Sequence, residues 1–144
     1  FRGSRAVALE RSGICSVRLT SLLNLAKEYS GLQEQVYSVL ERAKAHTEKH
    51  ALMMGWRRAD ERIALFLHDW WQRRQRAGLP GRNLYLPMRR EDLASCLGLV
   101  PETASRSMSR LRELGIIDLP NHYNVRILDR EQLARLARID PPSD

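Results

Sequence analysis

The sequence predicts a mainly α-helical chain with short β-strands, and three observations carry that expectation. Apolar and neutral side chains recur at alternating steps of four and three from Leu32 to Met53, the period of a long helix that pairs along one seam. Two short helical patterns flank Gly98, whose lack of a Cβ suits a tight left-handed turn. Two β-prone runs, Ile116-Ile117-Asp118 and Val125-Arg126-Ile127, then bracket a turn-rich tip.

Composition sets the limits. The chain has 144 residues, 43% hydrophobic, so it can bury a core. Aromatics are 6%, which argues against a stacking platform for single-stranded nucleic acid. The formal charge is +7 and Arg outnumbers Lys; Arg suits forked contacts to phosphate and guanine. That charge equally suits an acidic membrane surface or plain solubility. Cys15 and Cys96 form no CxxC pair, so neither a disulfide framework nor a self-contained zinc site is expected, and a reducing cytoplasm is the simplest setting. No apolar run nears the roughly 20 residues of a membrane span, and no signal-peptide layout opens the chain. The chain begins at Phe1 rather than Met, so further sequence is expected upstream.

In chain order, residues 6–19 (AVALERSGICSVRL) read as two strands around Ser12-Gly13. A pair so small needs a larger sheet. Thr20 or Ser21 is expected to cap a helix running to Tyr29, broken by Ser30-Gly31. The seam follows: Leu32, Val36, Val39, Ala43, His46, His50 and Met53, with Glu34, Glu41, Arg42, Lys44, Glu48 and Lys49 on the flanks. It spans about three heptads and predicts a homodimer interface. His46 and His50 stand four apart. They could grip a metal, but polar seam residues more often fix register. Protonating them would set like charges across a dimer. Gly55 ends the segment. A helix over 58–77 carries Ile63, Phe66, Leu67 and Trp70 on one face and stops at Gly78-Leu79-Pro80-Gly81. Trp56, Trp70 and Trp71 are expected to pack at the domain junction.

Residues 84–128 are the most informative stretch. Leu84-Tyr85-Leu86 is a short strand. Arg90 to Leu97 is a short helix with Leu93, Ala94, Cys96 and Leu97 inward. Pro101 opens a helix that runs to Leu114. Ala104, Met108 and Leu111 face inward there, leaving Glu102, Ser105, Arg106, Ser109, Arg110 and Arg112 outward. Asp129 caps a last helix to about Ala137. Helix, glycine turn, helix and ribbon make a winged helix-turn-helix, in which the second helix enters the DNA major groove. Its N-terminal end points at bases, so Glu102, Ser105 and Arg106 are the expected base readers. Arg can take guanine O6 and N7, a carboxylate can accept from cytosine N4, and a hydroxyl serves either sense. Arg89, Arg90, Thr103, Ser109 and Arg110 are the candidate contacts to the DNA backbone, and His122 and Tyr123 at the tip could approach phosphate. On any isolated helix, Glu102 could simply be an anion at a positive helix end and Arg106 a solvated cation. The neighbouring helix, turn and ribbon favour reading.

The segment LPMRREDLASCLGLVPETASRSMSRLRELGIIDL resembles the DNA-binding motif of the Crp/Fnr family of bacterial transcription regulators. The resemblance covers nearly the whole chain. It implies three parts: residues 1–19 as the remnant of a sensory β-roll, 20–55 as connecting and dimerisation helices, and 56–144 as the winged helix-turn-helix DNA-binding domain. The Fnr-like branch carries E-x-x-S-R in its reading helix, matched by Glu102, Ser105 and Arg106. The cyclic-AMP receptor branch has Arg-Glu and then Gly-Arg, where this chain has Pro101 and Ser105. The resemblance therefore implies a palindromic TTGAT-type site, bound as a homodimer under control of an upstream sensory domain, with RNA polymerase as a further partner if the protein activates. Val100 departs from the Ser or Thr that often caps this helix.

ALERSGIC, ending in Cys15, resembles a context in which oxygen-sensing relatives place one thiolate of a 4Fe–4S cluster. The other three ligands of that group have no counterpart here, so no cofactor is assigned to this chain, and a cluster is an expectation for a full-length protein only. A buried strand cysteine is the plain alternative. The signal stays open between a cluster, nitric oxide or haem, a small ligand and no ligand. A winged-helix protein-interaction module without sequence-specific DNA binding is the competing reading. No enzyme is expected: the chain has no Gly-rich phosphate loop, no HExxH and no triad, and His68 and Asp69 are helix neighbours that point apart.

Overall fold

The computed structural model describes residues 7–56 and 58–137, less the side chains of 46, 49, 50 and 52–56. The chain divides into two compact units, Phe1–Gly55 and Trp56–Asp144.

The first unit holds α1 (Leu19–Glu28) and α2 (Ser30–Trp56). Three expectations are corrected here. Residues 7–18 contain no strand, and Val7, Leu9, Ile14 and Val17 are exposed: within its unit the segment meets no sheet on which to bury alternate side chains. The cap of α1 is Arg18, without a side-chain bond, because the helix starts one residue before Thr20 and draws both hydroxyls into its first turn. The break falls at Tyr29, which is extended at φ −126° and ψ 101°. Its carbonyl accepts the N–H groups of Leu32 and Gln33, 3.0 and 3.2 Å away. Ser30 and Gly31 therefore begin α2 rather than separate the helices, positions where small residues are well tolerated. Along the seam Leu32 and Val36 are half-buried, while Val39 and Ala43 are exposed. His46, His50 and Met53 lie outside the described side chains.

The second unit runs α3 (Ala59–Arg76), β1 (Asn83–Tyr85), α4 (Arg90–Leu97), α5 (Pro101–Glu113), β2 (Ile117–Asp118), β3 (Asn124–Ile127) and α6 (Arg130–Ala137). Its antiparallel sheet has the order β1-β3-β2, with Leu84 opposite Val125 and Ile117 opposite Ile127. Helical and strand periods converge on one core: Ile63 and Leu67 of α3, Leu93 and Leu97 of α4, Met108 and Leu111 of α5, Ile127 of β3 and Leu133 of α6 are fully buried. Burying each such side chain contributes about 1.5–3 kcal/mol. Asp129 caps α6 as expected, its Oδ1 accepting the Gln132 N–H at 2.9 Å. At the starts of α3 and α4 a carboxylate three residues in closes back: Glu61 accepts the Arg58 N–H at 3.3 Å and Asp92 accepts the Arg89 N–H at 2.9 Å. Only this half of a capping box exists, since an arginine side chain cannot accept.

Trp71 pins the loop after α3. Its Nε1 donates to the Gly81 carbonyl at 3.0 Å, and the Arg130 guanidinium lies 4.4 Å above its ring. Trp70 stacks on Phe66 at 5.9 Å. Trp56 lies outside the described side chains.

Candidate nucleic-acid interface

The site is built around the α4–α5 turn. Gly98 sits at φ 60°, ψ 40°, a left-handed conformation that costs any other L-residue about 1–2 kcal/mol. The Gly98 N–H reaches Ser95 O at 3.4 Å and the Leu99 N–H reaches Ala94 O at 2.9 Å, closing α4 as glycine-terminated helices do. Ala94 and Ala104 are both buried at this crossing, and their small side chains permit close approach.

Helix α5 then starts at Pro101. Its N-cap Val100 is extended and makes no side-chain cap bond. One face is sunk in the core through Ala104, Ser107, Met108 and Leu111. The other presents Glu102, Ser105 and Arg106, all exposed. They fall at i, i+3 and i+4, so they share one stripe. Arg106 Nη2 donates to Thr103 Oγ1 at 3.4 Å, which leans the guanidinium along the helix towards its N-terminal turn. Glu102 lies in the first turn, where the positive helix end favours an anion.

The candidate backbone contacts divide. Arg89 is exposed at the start of α4, while Arg90 beside it is half-buried, and burial lowers its guanidinium from the ordinary value. Thr103 and Ser109 are half-buried on the flanks of α5. Arg110 pairs with Asp60 of α3, Nε to Oδ2 at 3.5 Å. At the ribbon tip Asn121 Oδ1 accepts from the backbone N–H groups of Tyr123 and Asn124, at 3.0 and 2.9 Å, and from Asn124 Nδ2 at 3.0 Å. This local turn chemistry leaves His122 and Tyr123 exposed.

Two residues outside the sequence expectation complete the site. Arg62 of α3 donates through Nη1 to the carbonyls of Leu97 and Gly98, at 3.1 and 3.3 Å. Asp60, one of two acidic residues in the first turn of α3, holds Arg110. Composition marks Asp60 only as an ordinary first-turn acid, and no local pattern can reveal the Arg62–Leu97 bond across 35 residues or the still more distant Asp60–Arg110 pair.

The cysteines differ from expectation. Cys96 is exposed rather than inward: the apolar stripe of α4 is Leu93, Ala94 and Leu97, and Cys96 falls outside it. Its thiol is nonetheless partly shielded, and that burial pushes its pKa up, making it a weak nucleophile. Cys15 is exposed. Among the described residues no three of His, Cys, Asp and Glu group as metal ligands. An iron–sulfur cluster needs several thiolates, and the residues around Cys15 do not fit one by themselves. No described helix is long and apolar enough to cross a membrane.

A profile for the Crp-like helix-turn-helix domain matches residues 61–136. The chain is 33% identical to the "Transcriptional regulatory protein btr" of Bordetella pertussis over 92% of its own length and 54% of that protein. It is 31% identical to the "Transcriptional activator protein anr" of Pseudomonas aeruginosa over 92% of itself and 54% of that protein. The chain thus spans about half the length of these curated relatives. Among solved structures it resembles FixK2 from Bradyrhizobium japonicum, with a TM-score of 0.75 and 28% identity over 89% of this chain and 61% of that one. A CooA mutant from Carboxydothermus hydrogenoformans shares the fold, with a TM-score of 0.70 at 18% identity, over 83% of this chain and 55% of that one. The helix–glycine turn–helix, the ribbon beyond it and these matches together establish that the chain belongs to the Crp/Fnr family of transcription regulators, whose DNA-binding module is its Crp-like helix-turn-helix domain.

Proposed function

We propose that this chain reads a palindromic TTGAT-type DNA site as a homodimer, with control exerted by a sensory domain upstream. The observation that carries the reading is the two-faced helix α5: four buried residues on one side, and Glu102, Ser105 and Arg106 exposed together on the other. In the groove, Arg106 takes guanine O6 and N7, Glu102 accepts from cytosine N4 and Ser105 bonds either kind of base edge. Arg89, Arg90, Thr103, Ser109 and Arg110 face the sugar–phosphate backbone and set register without reading sequence. The seam on α2 pairs two chains, so the half-sites lie about one helical turn apart.

Residues 1–19 belong with the sensory domain, 20–55 with connection and dimerisation, and 56–144 with DNA binding. A shift in dimer geometry driven by the sensory domain would change how well both reading helices fit at once. RNA polymerase joins the partners if the protein activates. A 4Fe–4S cluster in a full-length protein would use Cys15 as one thiolate and take its remaining ligands from beyond these residues.

Arg106→Ala tests the reading. It should cost about 1–3 kcal/mol on a TTGAT palindrome and relax discrimination at one base. Unchanged affinity and unchanged discrimination would sink the assignment. A protein-interaction module would show neither a sequence preference nor a steep salt dependence on DNA.

A further inference from the structure

We infer that Asp60 and Arg62, on the first turns of α3, are positioning residues that set the axis of the reading helix and thereby its sequence discrimination. The inference rests on the DNA-reading proposal above. Arg62 is half-buried and bridges the carbonyls of Leu97 and Gly98 through one nitrogen. The Leu97 carbonyl belongs to the last turn of α4, where helices leave acceptors without partners and a cation is favoured. The tie therefore fixes the turn that delivers the chain to Pro101. That matters here because the N-cap, Val100, has no side-chain bond of its own. The start of α5 is held by the turn before it.

Asp60 acts further along. Its carboxylate, largely shielded at 23% exposure, meets Arg110 at 3.5 Å. Pro101 and Arg110 are nine residues apart in the chain, about 13 Å along a helix axis. A rod held at two points that far apart has its direction defined as well as its position. Both anchors come from residues two apart on one helix. Glu102, Ser105 and Arg106 lie between the two points. A small rotation of α5 would move them off the base edges, while phosphate contacts, which tolerate displacement, would survive. Loss of either anchor should thus weaken binding to the correct site more than binding to arbitrary DNA.

The test uses the full chain and two duplexes, a TTGAT palindrome and a scrambled sequence, across several salt concentrations. Arg62→Lys keeps the charge, but its ammonium sits one bond nearer the backbone than Nη1 and falls short of the two carbonyls. It should lower the palindrome-to-scrambled affinity ratio about tenfold, the size of one charge-assisted hydrogen bond, with an unchanged salt slope. Asp60→Asn adds net positive charge, so scrambled DNA should bind slightly tighter while the palindrome binds more weakly. Asp60→Glu, which retains the carboxylate, should recover most of the ratio. A purely structural role would weaken both duplexes together and would leave the ratio alone. If the parent prefers the palindrome and neither Arg62→Lys nor Asp60→Asn changes the ratio, this inference is overturned by itself. If the parent shows no preference, the DNA-reading proposal falls and this inference falls with it.

Discussion

Val100 holds the least favourable position on the reading helix. Its side chain offers no acceptor to the first N–H groups of α5, and Ser or Thr at such a site contributes about 1 kcal/mol. Val100→Ser should therefore raise the melting temperature by a few degrees; an unchanged or lower value would show that these N–H groups already have partners. The uncapped turn also predicts fast amide exchange at Thr103 in the free protein, slowing when DNA is added. Several residue roles were legible in the sequence because they are local. Pro101 at the first helical position, Gly98 in the turn and Asp129 at a cap each follow from short-range chemistry. Cys96 was not, because a one-residue error in the phase of a short helix moves a side chain by about 100°. Arg62 and Asp60 were not, because their partners are distant in the chain.

At the scale of elements, α4 and α5 are two short helices whose relation depends on Gly98. Gly98→Ala should destabilise the second unit by about 1–2 kcal/mol through its positive φ, read as a lower melting temperature with little change in DNA preference once folded. The sheet illustrates partial legibility. Each strand could be located from its apolar and turn residues, but the order β1-β3-β2 depends on β1 returning to β3 across about forty residues that include two helices and β2, which no local pattern encodes. The 7–18 segment fails for a related reason. Alternation of apolar residues gives a strand its potential, and a covering sheet realises it. The helices were the most legible elements, since their period repeats over several turns. Their ends were less so: at Arg18 and Tyr29 the observed boundaries depart from the Thr20 cap and the Ser30-Gly31 break by a residue or two, as helix ends commonly do.

For the whole molecule, the proposal joins a helix seam to a reading surface. The seam should hold two chains together, so Val36→Glu should dissociate the dimer and weaken palindrome binding far more than binding to a single half-site. If His46 and His50 lie in that seam, dimer dissociation should rise between about pH 8 and about pH 5.5 as imidazoles gain like charges. Sedimentation across that range checks it, and a constant value would remove the histidines from the interface. The net charge of +7 supplies attraction to any duplex, so raw affinity says little about reading. The central claim is that Glu102, Ser105 and Arg106 read sequence. The measurement closest to it is a titration of the parent and Arg106→Ala against a TTGAT palindrome and a scrambled duplex over a range of salt. The parent should prefer the palindrome at every salt concentration, and Arg106→Ala should lose most of that preference while still binding both duplexes with a steep salt dependence. Equal binding of the two duplexes by the parent would contradict it.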